Sequence, residues 1–227
     1  MKPVCLVLGA GAGIGGTVAA KFASEGYHSY LCRRSDQEGL DKLIKGIEDA
    51  GGAASGSLLN AIEEDALEEV ITKVESDVGP IEVLVYNLGA QTGMKLLSQT
   101  THKEFEWGWR MASLGLFRAA KVLCPLMVER EKGNIIVTSA TAAMRGNKTQ
   151  HSHAAAMGAR RMLCQSLNAE FSSQGIHVAH VVIDGAVDAP DTLGKLLGPE
   201  LYQKMRETKG CLLYTSPSPR DGLLSRM

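Results

Sequence analysis

Short apolar runs alternate along this chain with longer stretches in which apolar positions recur every three or four residues. "VCLVL" (4–8) reads as a strand, and "GIGGTVAAKFASEG" (13–26) as a helix whose Ile14, Val18 and Phe22 share one face. "SYLC" (29–32) is followed by "QEGLDKLIKGIEDAGG", a helix carrying Leu40, Leu43, Ile44 and Ile47 and stopped by Gly51. A third strand falls at "AASGSLL" (53–59), an amphipathic helix at 63–79 and a fourth strand at "IEVLVYN" (81–87). From Thr101 to Arg130 the spacing predicts one long helix with Phe105, Trp109, Leu116, Phe117 and Leu123 inward. Trp107, two residues from Trp109, must face elsewhere. "NIIVTSA" (134–140), a helix at 154–175 and "IHVAHVVIDG" (176–185) repeat the cycle. Nearly continuous apolar strands joined through helices need cover on both faces. That predicts an α/β protein: a doubly wound parallel sheet in three layers, with right-handed crossovers.

"GAGAGIG" (9–15) lies where the first strand meets the first helix. Glycines there let backbone approach a diphosphate, and the helix start presents unpaired N–H groups and partial positive charge. The strand–turn–helix context makes this a Rossmann-type fingerprint, with Gly9, Gly11, Gly13, Ile14 and Gly15 expected at the diphosphate. In such folds an acid ~20 residues further on holds the ribose 2′-hydroxyl. Arg33 and Arg34 stand there instead. Guanidinium groups grip a 2′-phosphate that an acid would repel, which predicts NADP(H), with NAD(H) as the second choice.

Charge narrows the partners. With 24 basic and 25 acidic residues the net charge is −1, which offers no bulk attraction for nucleic acid or an anionic membrane. No apolar stretch approaches the ~20 residues that span a bilayer. Five scattered cysteines without a C-x-x-C pair suit buried thiols in a reducing cytoplasm, not a disulfide frame or metal site. The expected organisation is one dinucleotide-binding domain over 1–210. Residues 211–227, a mixture of Ser, Pro and Arg without sustained period, read as a non-native or unstructured tail.

Further motifs carry a family resemblance. Gly9, Gly13 and Gly15 are spaced as in the short-chain dehydrogenase/reductase family, and "YNLGA" (86–90) is similar to its Asn-Asn-Ala-Gly motif, retaining Asn87 and Gly89. Asn60 falls where an aspartate near the adenine is usual, and "IDGAVDAP" (183–190), with Gly185, where a Pro-Gly loop cups the nicotinamide. The resemblance covers nearly all of residues 3–205. It implies an oxidoreductase acting on a small carbonyl or enoyl compound, and a homodimer through the long helices 101–130 and 154–174. The few residues after 190, where the family shapes substrate choice, imply a C-terminally truncated version.

The family's chemistry uses serine, tyrosine, lysine and asparagine. Here the matching positions are Ala140, His153, Met157 and Ala112, and none of the five tyrosines begins a Tyr-x-x-x-Lys. Of the four, only His153 can donate a proton, since an imidazole titrates near neutrality unaided. Ser139 is expected to point away from the site by strand alternation, and Thr141 to turn in only if the strand ends early. Ser152 is expected to cap the following helix, and Arg160 and Arg161 to lie solvated on its outer face. A catalytically silent cofactor-binding protein, serving as redox sensor or partner subunit, is the competing expectation.

Overall fold

The computed structural model describes residues 2–89 and 94–208 and a short strand at 212–213. The tail expected over 211–227 otherwise lies outside the described residues. The chain divides into two compact units, the first ending at Asp184 and the second beginning at Gly185.

In the first unit, β1 (Val4–Leu8), α1 (Ile14–Ser24), β2 (His28–Arg33), α2 (Gln37–Asp49), β3 (Ala53–Leu58), α3 (Ala66–Asp77) and β4 (Ile81–Tyr86) alternate as expected. Next come α4 (His102–Trp109), α5 (Gly115–Glu129), β5 (Gly133–Ala140), α6 (His151–Phe171) and β6 (Ile176–Ile183). All six strands are parallel, in the order β3-β2-β1-β4-β5-β6. Every residue of β1 is buried because its two faces meet different helix layers. Val4, Leu6 and Leu8 pack with Leu67, Ile71, Leu116 and Leu123 of α3 and α5. Cys5 and Val7 pack with Ala19, Leu40 and Ile47 of α1 and α2. The strand order reverses direction between β1 and β4, and that switch point opens a crevice at the carboxyl ends of the strands.

The helix after β4 departs from simple periodicity. α4 starts with a reciprocal cap, in which the Thr101 hydroxyl accepts from the Glu104 amide while the Glu104 carboxylate accepts from the Thr101 amide. Between α4 and α5, residues Arg110–Leu114 form a π-helical turn. A π turn inserts one residue, rotating the two halves relative to each other by about 100°. Phe105 and Trp109 share a heptad-like stripe with Leu116 and Leu123 in the sequence, yet they end 45% and 43% exposed while the leucines are fully buried. Phe117 is also exposed, so three of the five residues predicted inward face out. The run His102–Glu129 is, by length and composition, apolar enough to cross a bilayer. More than half of its most apolar window is buried, as in a core helix. It escaped the sequence reading because its apolar positions are interleaved with polar ones.

α6 begins earlier than predicted, at His151, so Ser152 lies inside the helix and not at its cap. The Ser152 hydroxyl is buried and donates to the Glu104 carbonyl, fastening α6 to α4. The second unit holds β7 (Ala186–Val187), a turn at Pro190–Gly194, α7 (Lys195–Leu197), α8 (Pro199–Glu207) and β8 (Leu212–Leu213), which pairs with β7. Its anchor is Tyr202, buried, with its hydroxyl donating to the Asp188 carboxylate.

Two partly buried sheet histidines link stability to pH. His28 and His180 are both held below the ordinary imidazole value, first by burial; Lys2 adds to this at His28, and Arg160 and Arg161 at His180. The folded chain therefore binds fewer protons than the unfolded chain as pH falls through the unperturbed value of 6.5. Their contribution is present above that value and lost below it. The thermal midpoint is expected to fall between about pH 7 and about pH 5, above the carboxylate range, and His180→Gln to flatten that slope. Melting curves across the interval check this; a slope unchanged in the variant removes His180 from the account.

Candidate functional site

The loop after β1 is built so that backbone passes over backbone. Gly9 takes φ +94°, and a Cβ there would lie 2.6 Å from the Asn87 carbonyl oxygen. At Gly15 a Cβ would lie 2.3 Å from the Gly9 carbonyl oxygen and 2.9 Å from Ala10 Cα. The Gly9 and Ala10 amides donate to the Cys32 carbonyl at 2.9 and 2.8 Å, holding the loop over the end of β2. α1 starts behind Gly13 with neither a side-chain cap nor an acid in its first turn. Its amino end therefore carries uncompensated positive potential.

Asn87 joins this loop to the centre of the sheet. Its Nδ2 donates to the Gly9 carbonyl at 2.9 Å, and its Oδ1 accepts from the Thr138 hydroxyl of β5 at 2.8 Å. Gly9, Asn87 and Thr138 thus form one hydrogen-bonded line across β1, β4 and β5. Sequence reading singled out Asn87 but not Thr138, whose only signal was its place near the end of an apolar strand.

A cleft of about 350 Å³ lies on this line, with Arg33, Arg34 and Ser35 at one end, Gly9 and Gly11 in the middle, and Leu88, Gly89, Trp107 and Met111 beyond Asn87. The two arginines differ. Arg33 Nη2 is paired with Asp36 at 2.8 Å, and Asp36 in turn caps α2 by accepting from the Gly39 amide at 2.9 Å. Arg34 is exposed. The Arg33-x-x-Asp36 spacing was the available signal for this division. Asn60 is not brought to the cleft; its Nδ2 donates to Glu63 Oε1 at 2.8 Å. Gly185 belongs to the second unit, with φ +147°.

The four residues expected at the family's catalytic positions have mixed fates. Ala112 and Met157 are buried with Ala142, Ala143 and Ala156 in a small apolar cluster, against which Ala140 packs. His153 is half-buried on α6, one turn before Met157. Ser139, expected to point away, faces the helix layer with Ile135 and Val137, because alternate residues of β5 are buried. There its hydroxyl sits 3.7 Å from Met157 Sδ. Tyr86 is not a proton donor: its hydroxyl donates to the Met111 carbonyl at 2.6 Å, and burial pushes its pKa well up. Gly115 makes room for that hydroxyl, since a Cβ there would lie 2.3 Å from it.

Arg160 is the main correction to the sequence reading. Expected in solvent, it is 1% exposed. Nη2 donates to the Leu88 carbonyl at 2.7 Å, Nη1 to Thr138 at 2.8 Å and Nε to Ala112 at 3.0 Å, and the guanidinium lies 5.2 Å from the centre of the Tyr86 ring. Burial lowers its pKa, opposed by Tyr86 and Cys164. Arg161, beside it, is half-buried. Hydrophobic periodicity assigns an arginine to the outer face, and nothing local in the sequence marks Arg160 as the exception.

A parallel sheet with a glycine turn at its switch point defines the class, a Rossmann-type α/β protein. The chain belongs to the short chain dehydrogenase family, whose model matches residues 3–194. It is 29% identical over 205 residues to a 3-oxoacyl-acyl-carrier-protein reductase, FabG, of Thermotoga maritima, covering 90% of this chain and 80% of that protein. A short-chain dehydrogenase structure from Rhodopseudomonas palustris superimposes with TM-score 0.77 and 29% identity, covering 95% of this chain and 99% of that one. A gluconate 5-dehydrogenase from Burkholderia cenocepacia, solved with NADP and tartrate, gives TM-score 0.76 and 26% identity, covering 86% of this chain and 74% of that one.

Proposed function

We propose that this protein is an NADP(H)-dependent oxidoreductase of a small carbonyl or enoyl compound, working with an atypical proton donor in the cytoplasm. The observation that carries the reading is the cleft itself: close-approach glycines in the middle and an exposed arginine at one end. The cradle fits a dinucleotide. A side chain at Gly9 or Gly15 would fill the space that brings backbone against backbone, and the uncapped start of α1 would meet an anion with no competing acid in its first turn. Gly9, Gly11, Gly13, Ile14 and Gly15 would hold the diphosphate. Arg34, with Ser35, would hold the 2′-phosphate, while Arg33 is a strut fixed by Asp36. Asn87 and Gly89 would hold the half that carries the nicotinamide. When bound, that group supplies the hydride.

The chain itself must supply the proton and the orientation. His153 would give its proton to the substrate oxygen, without the lysine that the family resemblance calls for. Ala140 offers no hydroxyl to polarise a carbonyl, so a substrate that accepts hydride at an activated carbon–carbon double bond suits the site better than a simple ketone. A second reading rests on the apolar cluster of Ala112, Ala142, Ala143, Ala156 and Met157. It favours a cofactor-binding protein without turnover, a redox sensor or partner subunit.

Calorimetric titration with NADPH and NADH tests the cofactor assignment. Arg34→Ala is expected to weaken NADPH roughly tenfold or more and to leave NADH nearly unchanged. Equal loss for both would remove Arg34 from the phosphate site. Single-turnover oxidation of bound NADPH with a panel of enoyl and carbonyl compounds then separates the two readings. His153→Phe is expected to slow any reaction found by about 10²-fold or more.

Exposure of Phe105, Trp109 and Phe117, with Met162 on α6, supports a homodimer as part of this reading. Sedimentation of the purified protein at micromolar concentration is expected to show two copies, and Trp109→Glu one. A monomeric natural protein would end this part of the reading.

A further inference from the structure

The buried Arg160 has no part in the proton transfer above, yet it stands directly behind the cleft wall. Its three acceptors come from three segments: Leu88 just past β4, Thr138 in β5, and Ala112 in the π turn. Leu88 lines the cleft, and so does Met111, next to Ala112. The guanidinium thus fastens together the wall of one end of the cleft, the end opposite Arg33, Arg34 and Ser35. Among the described residues no carboxylate lies within ion-pair distance of it. Arginine keeps its charge even when buried. The three carbonyl dipoles orient and partly offset that charge without cancelling it.

We infer that Arg160 is a positioning residue that makes the cleft discriminate between the reduced and the oxidised forms of the nicotinamide cofactor. The inference rests on the proposed cofactor assignment. With the diphosphate over Gly9–Gly15 and the 2′-phosphate at Arg34, the redox-active ring belongs at the Leu88 and Met111 end. That ring carries a positive charge when oxidised and none when reduced. When bound, the reduced group would supply a hydride, with its electron pair, to the substrate carbon, and Arg160 would then hold fixed positive charge on the same side as the cationic product. In water such repulsion is screened; behind a dry wall it persists. The same charge reaches His180, where Arg160 and Arg161 add to the effect of burial. With Met157 at the family's lysine position, Arg160 places fixed positive charge behind this wall from one turn further along α6. The expected result is tighter binding of the reduced cofactor and faster release of the oxidised product.

The test measures Kd separately for NADPH and NADP⁺ by calorimetry, on the natural protein and on Arg160→Lys and Arg160→Gln. The natural protein is expected to bind NADPH about tenfold or more tightly than NADP⁺. Arg160→Lys, whose ammonium would be buried without a carboxylate partner and so lose its charge far more readily than a guanidinium, should lower that ratio. Arg160→Gln, which keeps amide donors without charge, should bring it close to one. A purely structural arginine predicts something else: both affinities fall together in Arg160→Gln and the ratio stays, which overturns the inference. Should Arg160→Gln not fold, the natural protein decides alone, and NADP⁺ binding as tightly as NADPH overturns it. If neither form binds the natural protein, the cofactor assignment fails and takes this inference with it. If both bind with no preference, only the inference fails.

Discussion

Gly15→Ala is expected to abolish detectable cofactor binding, a loss of 10²-fold or more, while the protein still folds. The added Cβ would lie 2.3 Å from the Gly9 carbonyl oxygen and 2.9 Å from Ala10 Cα, both main-chain atoms with no rotamer to escape into. The loop must move away from α1. Its position is fixed on the other side by the bonds of the Gly9 and Ala10 amides to Cys32 and of Asn87 to Gly9. Overpacking of this kind costs about 1–3 kcal/mol, which a domain of this size survives. The diphosphate cradle depends on the loop's present path and does not survive it. Calorimetry with NADPH, beside a melting curve of the same sample, separates lost binding from lost fold. Unchanged affinity in a folded variant would show that the glycine turn holds no dinucleotide.

The second large effect concerns rebuilding the family's catalytic set. Ala140→Ser, His153→Tyr and Met157→Lys together restore the groups by type, yet they are expected to leave carbonyl reduction within about tenfold of the natural protein. The reason is Arg160. Met157 is 3% exposed and lies one turn before it on α6, so a lysine at 157 enters a dry site beside a guanidinium. Burial and the like charge both depress an ammonium pKa, and a neutral lysine cannot lower the pKa of a tyrosine. Adding Arg160→Gln to the three changes removes the competing charge and leaves one amide group, with two N–H donors, for the carbonyls that Arg160 holds. The fourfold variant is expected to exceed the threefold one by about 10²-fold, followed as NADPH oxidation with a panel of small ketones and β-keto esters. High activity in the threefold variant would show that Arg160 has no electrostatic hold on position 157.

The layered sheet was legible because its signals are local. β1, β4 and β5 are apolar runs bounded by turns, and α1, α2 and α3 carry their apolar residues at helical spacing. The glycine turn was legible for the same reason, since residues 9–15 sit directly between a strand and a helix. Arg33 and Arg34 were singled out together, and the pairing of Arg33 with Asp36 was passed over, although an i, i+3 spacing displayed it.

What escaped depends on distance along the chain. Arg160 binds carbonyls 48, 22 and 72 residues away, and such acceptors leave no trace in residue types because every residue carries one. The π turn at Arg110–Leu114 is equally silent locally. It is held by Tyr86, Arg160 and Ser113, whose hydroxyl reaches the Ala156 carbonyl at 3.1 Å. One extra residue in that turn carried Phe105 and Trp109 off the buried stripe and onto the surface.

By itself the sequence determined a parallel sheet covered on both faces, the backbone turn at its opening and the absence of any Tyr-x-x-x-Lys. Each of these is a matter of local spacing or of which side chain is present. Only the tertiary structure decided where a buried cation rests, which aromatic residues meet solvent and how Asn87 joins the glycine turn to β5. Those outcomes depend on main-chain groups from separate strands and helices, which acquire fixed positions only when the layers pack.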